Sequence, residues 1–146
     1  MNRDSFYVAV AEALSGCQLV EQELKLYITE ALDLARRCVA GRFPFKLSGD
    51  DYQDASLERL IETFKKLTEN EVLLTDLRSF KAERNFLSHK GIAHCLDFEG
   101  DLFNPIAEEY SVRLTKIRNE ASRLQLAVFN EATNIRLEND FGDLPE

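Results

Sequence analysis

Apolar residues recur every three or four positions along most of the chain, which is the spacing of amphipathic helices. The first such stretch spans about thirty residues, from a cap at Asp4 or Ser5 to Gly41 just past its end. Gly16 interrupts it, which predicts either close packing or a mild bend. Its apolar positions are Phe6, Val10, Ala13, Cys17, Val20, Leu24, Tyr27, Ala31, Leu34 and Cys38. The pattern predicts one long helix with a single buried face.

Three further helices follow from the same spacing. Ser56 is placed to cap a short helix, and a third helix covers about residues 70–89. The fourth helix begins with Asn104 as its cap and Pro105 at its first position. Its apolar stripe continues without a break to Ile135, which predicts a second long helix.

Two long and two shorter amphipathic helices predict an all-α four-helix bundle. We expect one domain over residues 1–146, with connections at 41–55 and 91–104 and a mobile acidic tail at about 138–146. No strand pattern of useful length appears, although the residues after Gly91 are ambiguous.

The charge balance is acidic, with 26 Asp and Glu against 18 Lys and Arg and a formal net charge of -8. This balance argues against a protein that coats nucleic acid or anionic membrane through bulk charge. The apolar run at residues 6–11 is far shorter than the roughly 20 residues of a membrane span. An odd number of cysteines favours a reducing compartment, so we expect a cytoplasmic protein without membrane contact. Cys17 and Cys38 occupy apolar stripe positions and are expected to be inert core thiols.

Arg84 occupies a position of the third helix where the stripe would place an apolar side chain. It lies in the segment 78–90, whose four positive charges and one negative charge sum to +3, leaving -11 for the rest of the chain. A buried arginine needs a partner, because an unpaired buried charge costs several kcal/mol. Glu21 or Glu23 on the first helix would be such a partner. The position is therefore either a structural ion pair or the start of a functional site.

The run Arg84-Asn85-Phe86-Leu87-Ser88-His89 resembles the signature of the HEPN superfamily, in which a histidine follows an arginine by four to six residues. In that family asparagine is the commonest polar residue directly after the arginine, and Asn85 resembles this pattern. The motif ends a bundle helix and precedes a long helix, as it does in HEPN domains. The resemblance is architectural over the whole chain and specific over these six residues. Many HEPN domains are metal-independent endoribonucleases of toxin–antitoxin, abortive-infection and phage-defence systems, whereas others are inactive binding modules.

The resemblance implies a role for each motif residue. His89 would transfer the proton of the RNA 2′-hydroxyl, since histidine gains and loses a proton near neutral pH. Arg84 would bind the scissile phosphate, and Asn85 would orient the histidine or the phosphate. The 2′-oxygen then attacks its own phosphate and leaves a 2′,3′-cyclic phosphate, with no metal or cofactor and no cleavage of DNA. Further substrate contacts are expected from Ser88, Lys81, Arg78 and Lys90.

Helix geometry bears on how many chains form this site. On a regular helix Arg84 and His89 lie about 140° apart, which separates their side chains unless the helix end unwinds at Gly91. The family resemblance implies a homodimer in which two motifs line one composite cleft. Phe86 either contacts such a partner or packs against another helix, and we favour packing. An antitoxin is a possible second partner, but Gly91 replaces the AMP-accepting tyrosine of HepT-type toxins, so that regulation is not carried over.

Two other functions remain open at the level of sequence. One is a catalytically silent HEPN-like bundle that binds nucleotide, RNA or a protein partner, which the acidic charge modestly favours. The other is a helical dimer in which Arg84 and His89 are only structural. A zinc site of His89, His94, Cys95 and Asp97 matches no strong metal-binding spacing, so we expect no metal. Retention of arginine, asparagine and histidine together favours the ribonuclease.

Overall fold

Five α-helices form the described part of the chain, which comprises residues 3–91 and 103–142 of a computed structural model. Most of these residues are helical, and they contain no strand. The helices are α1 (Arg3–Val39), α2 (Leu57–Lys65), α3 (Glu71–Phe86), α4 (Phe103–Glu131) and α5 (Thr133–Phe141). A short 3-10 turn spans Gly49–Tyr52, and a π-helical turn spans Leu87–Gly91. The predicted all-α fold is therefore confirmed.

The helices form two layers around one apolar core. Helices α1 and α4 make the most extensive contact and run in the same direction, as Glu12 pairs with Arg118 and, further along both helices, Gly16 lies against Ala121. Helices α2 and α3 form the second layer, with α2 against α1 and α3 against α4. The α3 helix therefore lies diagonally across the bundle from α1.

Side-chain caps set the starts of the short helices, for which the sequence predicts a cap at Ser56 and a helix start near Asn70. The Ser56 hydroxyl accepts a hydrogen bond from the Arg59 amide at 3.2 Å, and the Asn70 side chain accepts one from the Leu73 amide at 3.1 Å. Each cap satisfies an amide that has no partner within its helix. Asn70 also donates to Glu131 at 3.0 Å, which ties the start of α3 to the end of α4.

The predicted apolar stripes form most of the core, to which Ile28 and Leu74 add, while Ala31 and Leu34 of the predicted α1 stripe are only partly buried. Its largest fully buried side chains are Phe6, Leu24, Ile28, Leu60, Ile61, Phe64, Leu74, Leu77, Phe80, Leu87, Leu114 and Ile117. A Cβ added at Gly16 would lie 2.9 Å from the Cβ of Ala121, so this glycine serves close packing of α1 on α4. Cys17 is buried, but the expectation that Cys38 is a core thiol is wrong because Cys38 is exposed. The buried part of α1 ends at Tyr27 and Ile28, and its last turns extend beyond the core.

The predicted fourth helix is two helices. The helix is interrupted at Ala132, whose amide donates to the carbonyl groups of both Val128 and Phe129. Helix α5 then packs against the end of α1, where the Asn139 side chain donates to the Glu30 carbonyl at 3.0 Å. Residues 138–141, assigned by the sequence to a mobile tail, belong to this helix, while 143–146 lie outside the described residues.

Two predicted boundaries shift slightly. Helix α4 begins at Phe103, one residue before the expected cap Asn104. Helix α3 ends at Phe86 and continues as the π-helical turn, where the sequence predicts regular helix to position 89. Among the helices of residues 3–91 and 103–142, none has the length and apolarity required to cross a membrane.

Candidate active site at the end of helix α3

The motif residues lie where α3 changes from an α-helix to a wider turn. In the π-helical turn Leu87–Gly91 each backbone bond joins residues five apart rather than four. Each residue of such a turn therefore advances through a smaller angle than the 100° of an α-helix. Arg84 and His89 consequently face more nearly the same side than the about 140° expected for a regular helix. Leu87 is fully buried and anchors the turn to the core.

Arg84 is held by two side chains. Its Nε lies 3.3 Å from Oε1 of Glu21 on α1, and its Nη1 donates to the Ser88 hydroxyl at 3.2 Å. That hydroxyl in turn donates to the Arg84 carbonyl at 3.2 Å. The arginine side chain is 38% exposed and Glu21 is 16% exposed, so the pair is partly buried. Of the two carboxylates that the sequence offers, Glu21 is the partner.

A small polar pocket adjoins Arg84 between the start of α2 and the end of α3. Its volume is about 120 Å³, and its lining residues are Ser56, Leu57, Glu58, Lys81, Arg84 and Asn85. Lys81 Nζ lies 3.6 Å from Oε1 of Glu58, and Asn85 is exposed. The structure thus brings together three predicted site residues at the amino end of a helix, where backbone amides favour negative charge. The sequence does not predict that α2 lines this pocket, because Ser56 indicates only a helix cap.

The remaining predicted site residues lie outside this pocket. The His89 side chain is exposed and forms no hydrogen bond or ion pair with the described residues. Lys90 and Arg78 are also exposed. Ser88 reaches the pocket only through its bond to Arg84. The arginine end of the motif is therefore enclosed, while the histidine end faces solvent.

Half of the positive charge of segment 78–90 is paired within the fold, while Arg78 and Lys90 are exposed. Lys81 and Arg84 face Glu58 and Glu21. The segment's single acid, Glu83, is bound by Arg113 of α4 through two hydrogen bonds of 2.8 and 3.0 Å. The local excess of +3 is therefore not a free basic patch.

Phe86 packs against α4, as the favoured interpretation predicts. Its ring stacks on that of Tyr110 with centroids 5.4 Å apart and an angle of 19°. The Arg113 guanidinium lies 3.4 Å from the centre of the Phe86 ring. These contacts fix the last turn of α3 on α4 and leave Phe86 with an intramolecular role.

The chemistry of metals and thiols is limited in the described part of the site. His94, Cys95 and Asp97 lie outside the described residues, and the described residues contain no group of three potential metal ligands. The pKa of the Cys17 thiol is raised to about 11, chiefly by burial and then by the Glu21 carboxylate, while Arg84 acts in the opposite direction. Cys17 is therefore a poor nucleophile at neutral pH.

The described site thus offers a partly enclosed guanidinium, an amide, an ammonium group and an exposed imidazole on one short segment. Arginine binds phosphate, and imidazole transfers protons, so these groups suit a phosphodiester substrate. Comparison with protein-family models, curated proteins and solved structures finds no match for the chain.

Proposed function

We propose that the chain is a metal-independent endoribonuclease of HEPN type that acts as a toxin or phage-defence effector. The observation that carries this proposal is the wide turn Leu87–Gly91 directly after Arg84. Such turns occur frequently at functional sites, and this one turns His89 towards the side of Arg84. The pocket beside Arg84 is sized for a phosphate group rather than for a large ligand.

The proposed reaction uses the RNA as its own nucleophile. A phosphate lies against the Nη2 group of Arg84, which forms no hydrogen bond with the described residues, and against Asn85 and Lys81. His89 accepts the proton of the 2′-hydroxyl, and the 2′-oxygen forms a bond to phosphorus. The bond from phosphorus to the 5′-oxygen breaks, and that oxygen takes a proton from solvent or from the imidazolium. The products are a 2′,3′-cyclic phosphate and a 5′-hydroxyl.

The proposed partners are RNA, a second copy of the chain and an antitoxin protein that restrains the toxin in the cytoplasm. The family resemblance supports these partners. Arg78 and Lys90 are exposed and would contact flanking phosphates of the RNA.

A second function is favoured by the ion pair of Arg84 with Glu21. In a catalytically silent bundle, this pair would fasten the end of α3 to α1, and the domain would bind nucleotide, RNA or a protein partner. Because one carboxylate already occupies the arginine, phosphate has to compete with it.

RNA cleavage in EDTA separates these functions. The wild type is compared with Arg84→Ala, His89→Ala and the matched control Arg36→Ala, which removes an exposed arginine paired with Asp33. We expect cleavage with 2′,3′-cyclic ends that falls at least about 100-fold in the first two variants and stays unchanged in the control. His89→Ala should unfold like the wild type, since His89 bonds to none of the described residues. Equal background cleavage by all four proteins would favour the silent bundle.

A further inference from the structure

A second small pocket lies beside the motif, on the side of α3 that faces α4. We call it the α4 pocket. Its volume is about 160 Å³, and its lining residues are Phe86, Glu109, Tyr110 and Arg113. Sites for drug-sized ligands have volumes of about 300–1,000 Å³, so this pocket admits one ring system rather than a whole nucleotide.

The Arg113 guanidinium is a planar group whose orientation is fixed by the fold. Its Nε and Nη2 donate to the Glu83 carboxylate at 2.8 and 3.0 Å, and its centre lies 3.4 Å from that of the Phe86 ring. One face of the guanidinium thus covers Phe86. The Arg113 side chain is 43% exposed, so the second face is open to a ligand, and Nη1 forms no hydrogen bond with the described residues. RNA bases stack on guanidinium planes, and an arginine that is already oriented loses little freedom when a base binds.

The charge around the α4 pocket favours an uncharged ring over a phosphate group. Arg113 contributes one positive charge, whereas Glu83 and Glu109 contribute two negative charges, so the local sum is -1. A phosphate would meet this net negative charge, and Glu83 already occupies two nitrogens of the guanidinium. A nucleobase carries no charge, and its amino groups and ring nitrogens can bind the Glu109 carboxylate and the Arg113 Nη1. The pocket therefore suits a nucleobase.

The order of side chains around the end of α3 matches the order of groups in one ribonucleotide. On a regular helix Phe86 lies about 200° and His89 about 140° round from Arg84, and the wide turn lowers the second angle. His89 therefore lies between Arg84 and Phe86. In a ribonucleotide the 2′-hydroxyl likewise lies between the base and the 3′-phosphate. With the phosphate at Arg84 and the 2′-hydroxyl at His89, the base of the same nucleotide points towards the α4 pocket.

We infer that the α4 pocket binds the base of the nucleotide on the 5′ side of the cleaved bond, and that the base stacks on Arg113. This inference rests on the proposed function, because the ribonuclease reaction places the RNA at Arg84 and His89. Arg113 is then a substrate-binding residue that the six-residue motif does not contain. It adds affinity for RNA that carries bases and none for the sugar-phosphate backbone alone.

Binding of a base-bearing and a base-free RNA tests the inference. The probes are a fluorescein-labelled oligo(A) of about 12 nucleotides and an oligomer of equal length whose ribose sugars lack bases, and fluorescence anisotropy gives a Kd for each. All proteins carry His89→Ala, which keeps the RNA intact under the proposed mechanism. Arg113→Lys keeps the positive charge beside Glu83 but removes the planar group. We expect this variant to weaken binding of oligo(A) at least about tenfold and to leave binding of the base-free oligomer unchanged.

Arg123→Lys is the matched control. Arg123 also lies on α4, pairs with Asp76 of α3 at 2.9 Å and is 52% exposed, but it does not line the α4 pocket. Both Kd values should stay unchanged in this control. The inference is overturned if Arg113→Lys weakens binding of both probes equally, if it weakens neither, or if the control has the same effect. If Arg113→Lys loses its helical circular dichroism, Arg113→Met replaces it, since methionine still packs on Phe86 but has no planar group, and the same comparison applies.

The same proteins separate failure of this inference from failure of the proposed function. If the chain that retains His89 cleaves RNA but Arg113→Lys affects both probes equally, the base pocket is rejected and the ribonuclease stands. If binding of oligo(A) depends on Arg113 but the chain with His89 does not cleave RNA, the ribonuclease is rejected and the base pocket is supported. No binding of oligo(A) at about 100 µM protein would overturn the inference, since even non-specific nucleic-acid binding is observed at such concentrations.

Discussion

The ion pair of Arg84 with Glu21 provides the most informative perturbation of this protein. We consider a double-mutant cycle of Arg84→Gln and Glu21→Gln, because glutamine removes each charge and keeps a polar side chain of similar length. The cycle isolates the interaction between the two groups from their other contacts. The resulting coupling energy measures how strongly Arg84 is bound by Glu21 within its own chain.

The structure sets the expected magnitude. Two unit charges 3.3 Å apart attract by about 5 kcal/mol at an effective dielectric constant near 20, before desolvation is counted. Exposed pairs retain only about 0.2–1 kcal/mol of this attraction, and loss of one partner of a fully buried pair costs about 3–5 kcal/mol. Arg84 is 38% exposed and Glu21 16%, so screening by solvent reduces the net value. We expect a coupling energy of about 1–2 kcal/mol.

Urea unfolding followed by far-ultraviolet circular dichroism measures the cycle. The exposed pair of Arg36 with Asp33, one helical turn apart, serves as the matched control. Its coupling energy should stay below about 0.5 kcal/mol. If Arg84 and Glu21 couple no more strongly than this control, Arg84 does not anchor α3 and the physical argument for a structural role fails. Under the ribonuclease proposal, Glu21→Gln should also strengthen RNA binding, since the variant releases the guanidinium.

Three further predictions concern the thiols, the carboxyl group of Glu30 on α1 and helix packing. Cys38 should react rapidly with a thiol reagent and Cys17 only on unfolding, because Cys17 is buried and its pKa is about 11; equal labelling rates by peptide mass spectrometry would contradict this. The pKa of Glu30 is raised, mainly because its carboxyl group is partly buried. The ionised form therefore lowers the free energy of unfolding at pH values above the raised pKa. This destabilisation disappears as the pH falls towards the ordinary carboxyl pKa of about 4.3. Glu30→Gln should thus increase the free energy of unfolding near pH 7 more than near pH 4, and a gain that is constant with pH in urea titrations would refute this. Gly16→Ala should lower the free energy of unfolding by about 1–3 kcal/mol, since its Cβ would lie 2.9 Å from that of Ala121, whereas a gain of stability would show that the two helices separate easily.

Local chemistry explains why much of the fold can be predicted from the sequence. Ser56 and Asn70 cap helices because their side chains accept hydrogen bonds from amides three residues later. The buried face of each helix can be predicted because apolar residues recur every three or four positions, and this spacing is read directly from the sequence. Contacts between distant residues cannot be predicted in this way. The Asn139 side chain binds the carbonyl of Glu30, which is 109 residues away. No local sequence pattern predicts that the helix is interrupted at Ala132.

The candidate site was only partly predictable for the same reason. The sequence identifies Arg84 as an exception to its stripe and narrows its partner to Glu21 or Glu23. The choice between them depends on how α1 is rotated about its axis, which the packing of the whole bundle fixes. The π-helical turn after Phe86 and the nearness of Ser56 to Arg84 also follow from tertiary contacts. A six-residue motif therefore indicates which groups are present, whereas the fold decides which of them meet.

The same pairing changes what the charge of the motif means for an RNA ligand. A sum of +3 over residues 78–90 treats each charge as available, but Lys81 and Arg84 already face carboxylates on other helices. A phosphate at Arg84 would have to replace or share the bond to Glu21, and a carboxylate at 3.3 Å is a strong competitor. That carboxylate also keeps the guanidinium oriented in the absence of ligand, because it holds the Nε of Arg84 while the Nη2 of Arg84 forms no hydrogen bond with the described residues. The ion pair is therefore compatible with both a structural and a catalytic arginine, and the two differ in whether the bond to Glu21 yields when phosphate is present.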